Sequence, residues 1–248
     1  MAPRPARPAH PARKAALAVL LLTAGTACGG QDGAPTAEVA QQSAARDRIG
    51  TLSLRTAQGP RACTASVVQS PRHNLLVTAA HCVQSRRTGL LEGLVFTPGY
   101  RNGSTPYGTW PVQSVTVDPH WAAGDDPEYD VAFVTVGTVG GRQIEDAVGG
   151  NPLGTGQGFG LPVSVTGYPN VSDEPITCSV RTRSQSATQE RFDCGGYTDG
   201  TSGSPWVTDQ GSVVGVIGGY QEGGDTPDTS YSVTFDQRVT DLYRKATT

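Results

Sequence analysis

Short apolar runs separated by turn residues follow one another along most of this 248-residue chain, from residue 49 to residue 235. Runs of this length are typical of β-strands, and no segment with helical periodicity lies between them. The pattern predicts an all-β barrel or sandwich. We expect strands at residues 49–54, 65–68, 75–78, 94–97, 112–117, 131–136, 162–167, 177–182, 191–194, 206–208, 213–217 and 231–235.

A Gly/Pro-rich stretch at 149–154 divides this series into two halves of similar size. Glycine and proline interrupt regular structure, so we interpret the stretch as a hinge between two β units. Only the end of the chain, residues 236–246, carries helical spacing, with Val239, Leu242 and Tyr243 on one face. The sequence therefore predicts two β halves followed by one short C-terminal helix.

The first 28 residues have a different composition from the rest. A basic, Pro/Ala-rich segment precedes an apolar run at 15–23 that is too short to span a bilayer. This order is typical of a bacterial export signal, so we expect the protein to be exported. Residues 29–46 are small and polar with little to bury, and we predict a flexible tether there.

Residues 24–30 surround Cys28 with small side chains and resemble the lipobox of bacterial lipoproteins, whose cysteine is acylated and becomes the N-terminus. The lipobox prefers leucine at the position that Gly25 occupies here. Two outcomes stay open, a lipid anchor at Cys28 or plain cleavage after a small residue. In the first case the exported protein would be anchored to the outer face of the cell membrane, and in the second it would be secreted.

The chain has five cysteines, an odd number, which agrees with a separate fate for Cys28. The other four allow three pairings in an oxidising compartment. We favour Cys63–Cys82 and Cys178–Cys194, because each pair closes a local loop within one half of the chain.

Charge and composition narrow the function classes. The net charge of −3, without a basic stripe, argues against nucleic acid as a partner. The chain has 32 Gly and 18 Pro, and 17% of its residues are charged. These values describe a turn-rich protein built from short strands rather than long helices.

The turn at 199–205 holds the first candidate for chemistry. Ser202 lies there between Gly200 and Gly203, where no neighbouring side chain crowds its hydroxyl, as a nucleophile requires. The glycines also allow the backbone amides of Gly200 and Ser202 to point at a developing oxyanion. An ordinary hairpin loop before a strand is the alternative.

A serine nucleophile needs a base within hydrogen-bonding reach, and the chain holds four histidines. His10 belongs to the export signal, while His73 and His120 lie in proline-flanked turns where a solvated side chain is expected. His81 follows a predicted strand and adjoins Cys82, whose disulfide would fix the local backbone. We therefore expect His81 to be the base.

An imidazole base needs a carboxylate that fixes its tautomer. Asp130 is followed at once by the apolar run 131–134, so its carboxylate would be partly desolvated and in need of a partner. Asp125, Asp126 and Glu128 lie in a polar loop where solvation is expected. Asp130 is the best candidate for the third member of a triad.

Three motifs in this chain resemble, in the same order, the His, Asp and Ser motifs of the chymotrypsin/trypsin-like serine peptidases. They are Thr78-Ala79-Ala80-His81-Cys82, Tyr129-Asp130-Val131-Ala132 and Gly200-Thr201-Ser202-Gly203-Ser204-Pro205.

The resemblance spans about residues 46–245 and implies two six-stranded antiparallel β-barrels packed together, at about 47–148 and 149–235, with the site in the cleft between them. The implied peptidase domain, 47–248, is a monomer that cleaves protein or peptide substrates by acyl transfer. It needs neither a metal nor an organic cofactor.

One departure from the family pattern concerns activation. Many members have an aspartate directly before the nucleophile, and it pairs with a newly cut N-terminus. Here Thr201 holds that position, and its neutral hydroxyl cannot form the ion pair. We therefore expect that the Arg48–Ile49 junction is not an activation site. In this respect the sequence is similar to the bacterial glutamyl endopeptidases.

The resemblance leaves the substrate pocket weakly defined. Gly196 holds the position of the aspartate that gives trypsin-like enzymes their basic preference. The family's pocket wall corresponds to 217–220, where Gly218 and Gly219 leave room and Tyr220 would narrow the entrance. Asp228, or its neighbour Thr229, could reach the pocket floor and restore a basic preference, or could lie in a solvated loop.

Two hypotheses from other functional classes remain. The first is a catalytically silent, protease-like surface domain that only binds. The second is a calcium-binding surface protein, suggested by the acidic residues Asp125, Asp126 and Glu128, or by Glu222 and Asp225, although their spacing matches no EF-hand.

Overall fold

The computed structural model describes residues 1–2, 34–85, 87 and 89–248. The expected export signal, the lipobox with Cys28, and residues 29–33 of the expected tether lie outside the described residues. Residues 34–248 form one compact unit. Among the described residues, no helix is both long and apolar enough to cross a membrane.

In the described part of the chain, nine strands precede the Gly/Pro-rich stretch, and six of them close into a barrel with the order β2-β3-β4-β9-β8-β7. Buried apolar side chains from these strands, among them Leu52, Val67 and Phe96, fill its interior. The strands are β1 (Glu38–Val39), β2 (Ile49–Leu54), β3 (Arg61–Val68), β4 (Leu75–Thr78), β5 (Gln84–Ser85), β6 (Gly89–Leu90), β7 (Leu94–Pro98), β8 (Trp110–Val117) and β9 (Ala132–Val136).

The second half contains seven strands around a core that includes Val165, Phe192 and Trp206. Together with β1 from the start of the described chain, they form a five-stranded sheet, β1-β11-β10-β14-β15, and a three-stranded sheet, β12-β13-β16. The strands are β10 (Pro162–Gly167), β11 (Ile176–Arg181), β12 (Arg183–Ser184), β13 (Gln189–Asp193), β14 (Pro205–Thr208), β15 (Val213–Val216) and β16 (Thr229–Val233).

The all-β class and the closed first barrel agree with the sequence prediction. The second half differs in detail, because its strands divide between two sheets instead of forming one continuous ladder. The two sheets still meet at β15 and β16, where the Ser232 hydroxyl accepts a hydrogen bond from the Val216 amide at 3.0 Å.

Three short α-helices complete the fold, α1 (Pro119–Gly124), α2 (Ile144–Val148) and α3 (Gln237–Thr247), with 3₁₀ turns at Arg46–Arg48, Pro127–Tyr129 and Tyr220–Gly223. Helix α3 begins after Asp236, whose side chain accepts a hydrogen bond from the Arg238 amide as an N-cap. This is the predicted C-terminal helix. Its Val239 and Leu242 are buried in an apolar cluster with residues of both halves.

That shared cluster joins the two halves directly. It brings Val77 of β4 and Phe133 of β9 together with Val216 of β15 and Val233 of β16. Strand β4 leads to His81, and strand β9 follows Asp130. The packing therefore also places these two site residues against the second half.

The structure corrects the predicted tether over residues 34–46, which we call the N-terminal segment. Its strand β1 pairs antiparallel with β11, the Ala37 amide donates to the Gly195 carbonyl at 2.8 Å, and Ala40 is fully buried. Small polar residues bury little apolar surface, but their backbone groups still pair with a sheet edge. Composition alone therefore missed this strand.

One disulfide fastens a loop within each half. Cys63 of β3 is bonded to Cys82 in the turn after β4, and Cys178 of β11 is bonded to Cys194 after β13. Disulfides persist outside reducing compartments, so the pair supports an extracellular location.

Candidate active site

His81 and the buried Asp130 form a hydrogen-bonded pair in the first half. The His81 ring nitrogen Nδ1 lies 2.8 Å from Asp130 Oδ2, and the His81 amide donates to Asp130 Oδ1 at 2.9 Å. The Gly219 amide, from the second half, also donates to Asp130 Oδ2 at 2.8 Å. Three donors therefore hold this carboxylate, and they fix both the position and the orientation of the imidazole.

The pKa values of the pair move in opposite directions. Burial raises the pKa of Asp130, but the charge and hydrogen bond of His81 and the amides of His81 and Gly219 outweigh it, so this pKa lies below its usual range. Burial lowers the pKa of His81, but the Asp130 charge and hydrogen bond and a weaker effect of Glu222 outweigh it, so this pKa is raised. The pairing favours an ionised carboxylate that can stabilise an imidazolium.

Ser202 lies in a loop pressed tightly against the first barrel. Gly203 has φ of +79°, and a Cβ there would lie 2.1 Å from Thr78 Oγ1 and 2.2 Å from the Thr64 carbonyl oxygen. No residue with a side chain fits that position. Glycine after the serine is thus required for the approach of the loop, beyond leaving the hydroxyl uncrowded.

Thr64 of β3 fastens the loop on both sides of Thr201. Its amide donates to the Ser202 carbonyl at 2.8 Å, and its hydroxyl donates to the Gly200 carbonyl at 3.0 Å. The same hydroxyl accepts from the Tyr168 amide at 3.0 Å. Sequence reasoning missed Thr64, although it adjoins Cys63, because a threonine within a strand carries no motif.

The amides of the loop divide into two groups. Those of Thr201, Gly203 and Ser204 donate to carbonyls within the protein. Those of Gly200 and Ser202 donate to no acceptor in the part of the chain that the structure describes. Two adjacent unsatisfied donors beside a serine are what an oxyanion site requires.

Thr201 forms hydrogen bonds within the loop itself. It is 3% exposed, its hydroxyl donates to the Thr198 carbonyl at 2.7 Å, and its amide donates to the same carbonyl at 3.0 Å. A short turn therefore orders the loop where many family members would use an aspartate and a new N-terminus. Ile49, the first residue of β2, is buried in the barrel.

A cleft of about 860 Å³ contains both His81 and Ser202 in its lining. His81 is the one basic side chain among its described lining residues, whereas three carboxylates, Asp199, Glu222 and Asp225, also line it. The cleft is open to solvent, and its size suits several residues of an extended polypeptide.

Two of the residues expected in the substrate pocket are absent from the lining of this cleft. Tyr220 is 44% exposed and packs edge-on against Tyr231, with 5.0 Å between ring centres. Asp228 is exposed and absent from the cleft lining. The backbone of the 3₁₀ turn Tyr220–Gly223 directs Tyr220 outward, which residue spacing does not reveal.

The expected glycines of the pocket also have other neighbours. A Cβ at Gly196 would meet Ala37 of the N-terminal segment, and one at Gly218 would meet Asp130. The Gly219 amide donates a hydrogen bond to Asp130. In place of these residues, the cleft beside Ser202 is lined by Tyr197, Thr198, Ile217 and Ser230.

The described residues offer little to a metal ion. One group of three potential ligands gathers, Cys63, His81 and Cys82, but the two sulfurs are bonded to each other and are not thiolates. The acidic residues considered for calcium do not form a group of three in the described chain. The calcium interpretation therefore gains no support from the geometry.

Comparisons with known proteins agree with this geometry. The trypsin-like peptidase domain family matches residues 63–216. An extracellular metalloprotease of Bacillus subtilis (strain 168) is 30% identical over 107 residues, 43% of this chain and 33% of that protein. The chain thus spans about a third of that curated relative.

Solved structures are similar over nearly their whole length. A thermostable serine protease, AL20, from an extremophilic microorganism has 26% identity and a TM-score of 0.73 over 83% of this chain and 99% of its own. Protease Anisep from Arthrobacter nicotinovorans has 24% identity and a TM-score of 0.72 over 81% and 95%. Since the family match covers more than half of the residues, the chain belongs to the trypsin-like peptidase family.

Proposed function

We propose that this protein is an exported serine endopeptidase that cleaves peptide bonds through a triad of Ser202, His81 and Asp130. One observation carries the proposal above the others. His81, which is hydrogen-bonded to the buried Asp130, and Ser202, with two unsatisfied loop amides, line the same cleft.

In the proposed reaction, His81 Nε2 removes the proton of the Ser202 hydroxyl while its oxygen attacks the substrate carbonyl carbon. Asp130 holds the Nδ1 proton and stabilises the imidazolium. The amides of Gly200 and Ser202 bind the oxyanion. His81 then protonates the leaving amine, and water attacks the acyl-enzyme by the same route. This sequence of steps follows the general serine peptidase template.

The charges that line the cleft also indicate a substrate preference. Its carboxylates Glu222 and Asp225 favour a polypeptide with a cationic side chain near the scissile bond, because opposite charges at close range attract. This preference replaces the one expected from Asp228, which lies outside the cleft. A residue that enters the space beside Tyr197 and Ser230 would be small or polar enough to fit that lining.

Labelling with a phosphonofluoridate, followed by intact mass measurement, tests the nucleophile. We expect one adduct on the parent protein and none on Ser202→Ala. Ser230→Ala is the matched control, because Ser230 lines the same cleft and its variant should still react. Failure of a folded parent to react would favour the silent binding domain instead.

A randomised peptide library tests the activity itself. The protein should start at residue 34, since the N-terminal segment belongs to the fold. Cleavage by the parent and not by Ser202→Ala would support the endopeptidase, and enrichment of Lys or Arg near the cut would support the acidic cleft. Cleavage that persists in Ser202→Ala would refute the proposed nucleophile.

Export, the lipid and the monomeric state are also proposals. The two disulfides support export, and the sequence around Cys28 supports acylation. Expression of the full chain in a bacterium, with fractionation and intact mass, should give a membrane-bound, acylated form that becomes soluble in Cys28→Ser. A parent that is soluble and unacylated would refute the lipid anchor. Light scattering of the soluble domain tests the monomer.

A further inference from the structure

Glu190 is a buried carboxyl group that the proposed reaction does not use. It lies on β13, is 2% exposed, and its Oε2 atom has no hydrogen-bond partner among the described residues. Buried polar groups almost always have a partner, so an unsatisfied carboxyl oxygen indicates an interaction still to be made.

The Glu190 side chain lines a cavity of about 230 Å³, which we call the Glu190 cavity. Its wall combines the glycine-rich loop at 154–160 with the apolar side chains of Val214 and Phe235, and Ala187 lies at its exposed rim. The Glu190 cavity shares no lining residue with the catalytic cleft. It is large enough for a small organic molecule or several waters.

The Glu190 cavity has no positive charge opposite Glu190 among its described lining residues. The other titratable group in its described lining is Asp236, which is already bonded to Arg238 at 2.9 Å and caps helix α3. Arg181 donates to the Gly160 carbonyl of the loop but is exposed and does not line the cavity. No cation of the described chain thus faces Glu190. Burial consequently raises the pKa of Glu190 to about 8.

We propose that the Glu190 cavity binds a small organic ammonium ion, with the Glu190 carboxylate as its counter-ion. An ammonium group satisfies the free Oε2 and supplies the missing positive charge, and a short alkyl chain fits the apolar wall of Val214 and Phe235. A bare divalent cation suits the site less well, because it requires six or more oxygen ligands.

The affinity of the Glu190 cavity for an ammonium ion should depend on pH through the proton on Glu190. Below about pH 8, Glu190 is protonated and must release its proton before it can pair with the ammonium. An alkylammonium stays charged to about pH 10. Its dissociation constant should therefore fall about tenfold for each pH unit from pH 6 towards 8 and level off above that.

Titration calorimetry with n-butylammonium chloride, on the parent protein from pH 6 to 9, measures both the affinity and the proton released. We expect binding with about one proton released at pH 6.5, and at least tenfold weaker binding of the neutral analogue n-butanol. Glu190→Gln should abolish binding and keep the fold, because glutamine resembles the protonated acid. Glu38→Gln, on the exposed strand β1, is the matched control and should bind as the parent does.

A second variant separates loss of the site from loss of the fold. Ala187→Trp leaves Glu190 in place and covers the rim, so it should also abolish binding. No binding by the folded parent at any pH would overturn the proposal, as would equal binding by Glu190→Gln. Stabilisation by Ca²⁺ but not by the amine would overturn the assignment of the ligand.

Discussion

Replacing Thr64 with valine should lower catalysis through the backbone of the nucleophile loop. Valine has nearly the same shape but removes the hydroxyl that donates to the Gly200 carbonyl and accepts from the Tyr168 amide. Both of those groups are buried, and each costs about 1–3 kcal/mol when left unsatisfied. Allowing for relaxation, the free energy of unfolding should fall by about 2–4 kcal/mol.

The kinetic consequence follows from the released Gly200 carbonyl. The peptide unit between Gly200 and Thr201 loses its anchor, so the oxyanion donors are no longer held in place. Complete loss of one such donor costs about 10²–10³ in kcat. A misaligned donor should cost less, and we expect kcat to fall about 10- to 100-fold with KM nearly unchanged. Affinity for a peptidyl boronate should fall in parallel, because that inhibitor also needs the oxyanion donors.

Thr51 supplies the matched control. It lies directly opposite Thr64 on β2, is equally buried, and its hydroxyl has no partner among the described residues. Thr51→Val should therefore leave kcat unchanged and alter stability by less than about 0.5 kcal/mol. Steady-state kinetics and urea unfolding of both variants provide the measurement. A Thr64→Val enzyme with parental kcat, or an equal loss in Thr51→Val, would refute the reasoning.

Three further changes test other parts of the structure. Glu222→Gln removes a charge that raises the pKa of His81, so the acidic limb of the kcat/KM profile, which requires neutral His81, should move to lower pH; Asp209→Asn, on an exposed turn, should leave it in place. Leu242→Ala should lower the free energy of unfolding by about 2–5 kcal/mol in urea titration, and a loss below about 1 kcal/mol would contradict the packing of α3. Deleting residues 34–46 removes three backbone hydrogen bonds outside the β1 ladder and should lower stability by roughly 3 kcal/mol relative to a chain starting at residue 34, whereas equal melting temperatures would show that the segment contributes nothing.

The strands were largely predictable because their apolar runs are bounded by turn residues. The predicted runs at 49–54, 75–78 and 162–167 coincide with β2, β4 and β10. The two-residue strands and the helices α1 and α2 were missed, since they bury too few apolar side chains to leave a periodic pattern.

The residues of the candidate site also divide into those that the sequence predicts and those that it does not. His81, Asp130 and Ser202 could be proposed from sequence because each carries local motif chemistry at the end of an apolar run. Thr64 could not, because its importance depends on contacts with residues far along the chain. Tyr220 and Asp228, which were expected in the substrate pocket, are absent from the cleft lining for a related reason, since the direction of a side chain in a loop depends on backbone dihedral angles that spacing does not specify.

The pairing of β1 with β11 has a consequence for self-association. The strand β1 forms one edge of the five-stranded sheet, and it is only two residues long with an exposed glutamate. Short, charged edges resist pairing with another molecule, whereas a longer bare edge invites it. Trimming the chain to residue 47 would uncover the amides and carbonyls of β11, a strand three times as long. The few residues of β1 thus protect the edge of this sheet against pairing with other molecules.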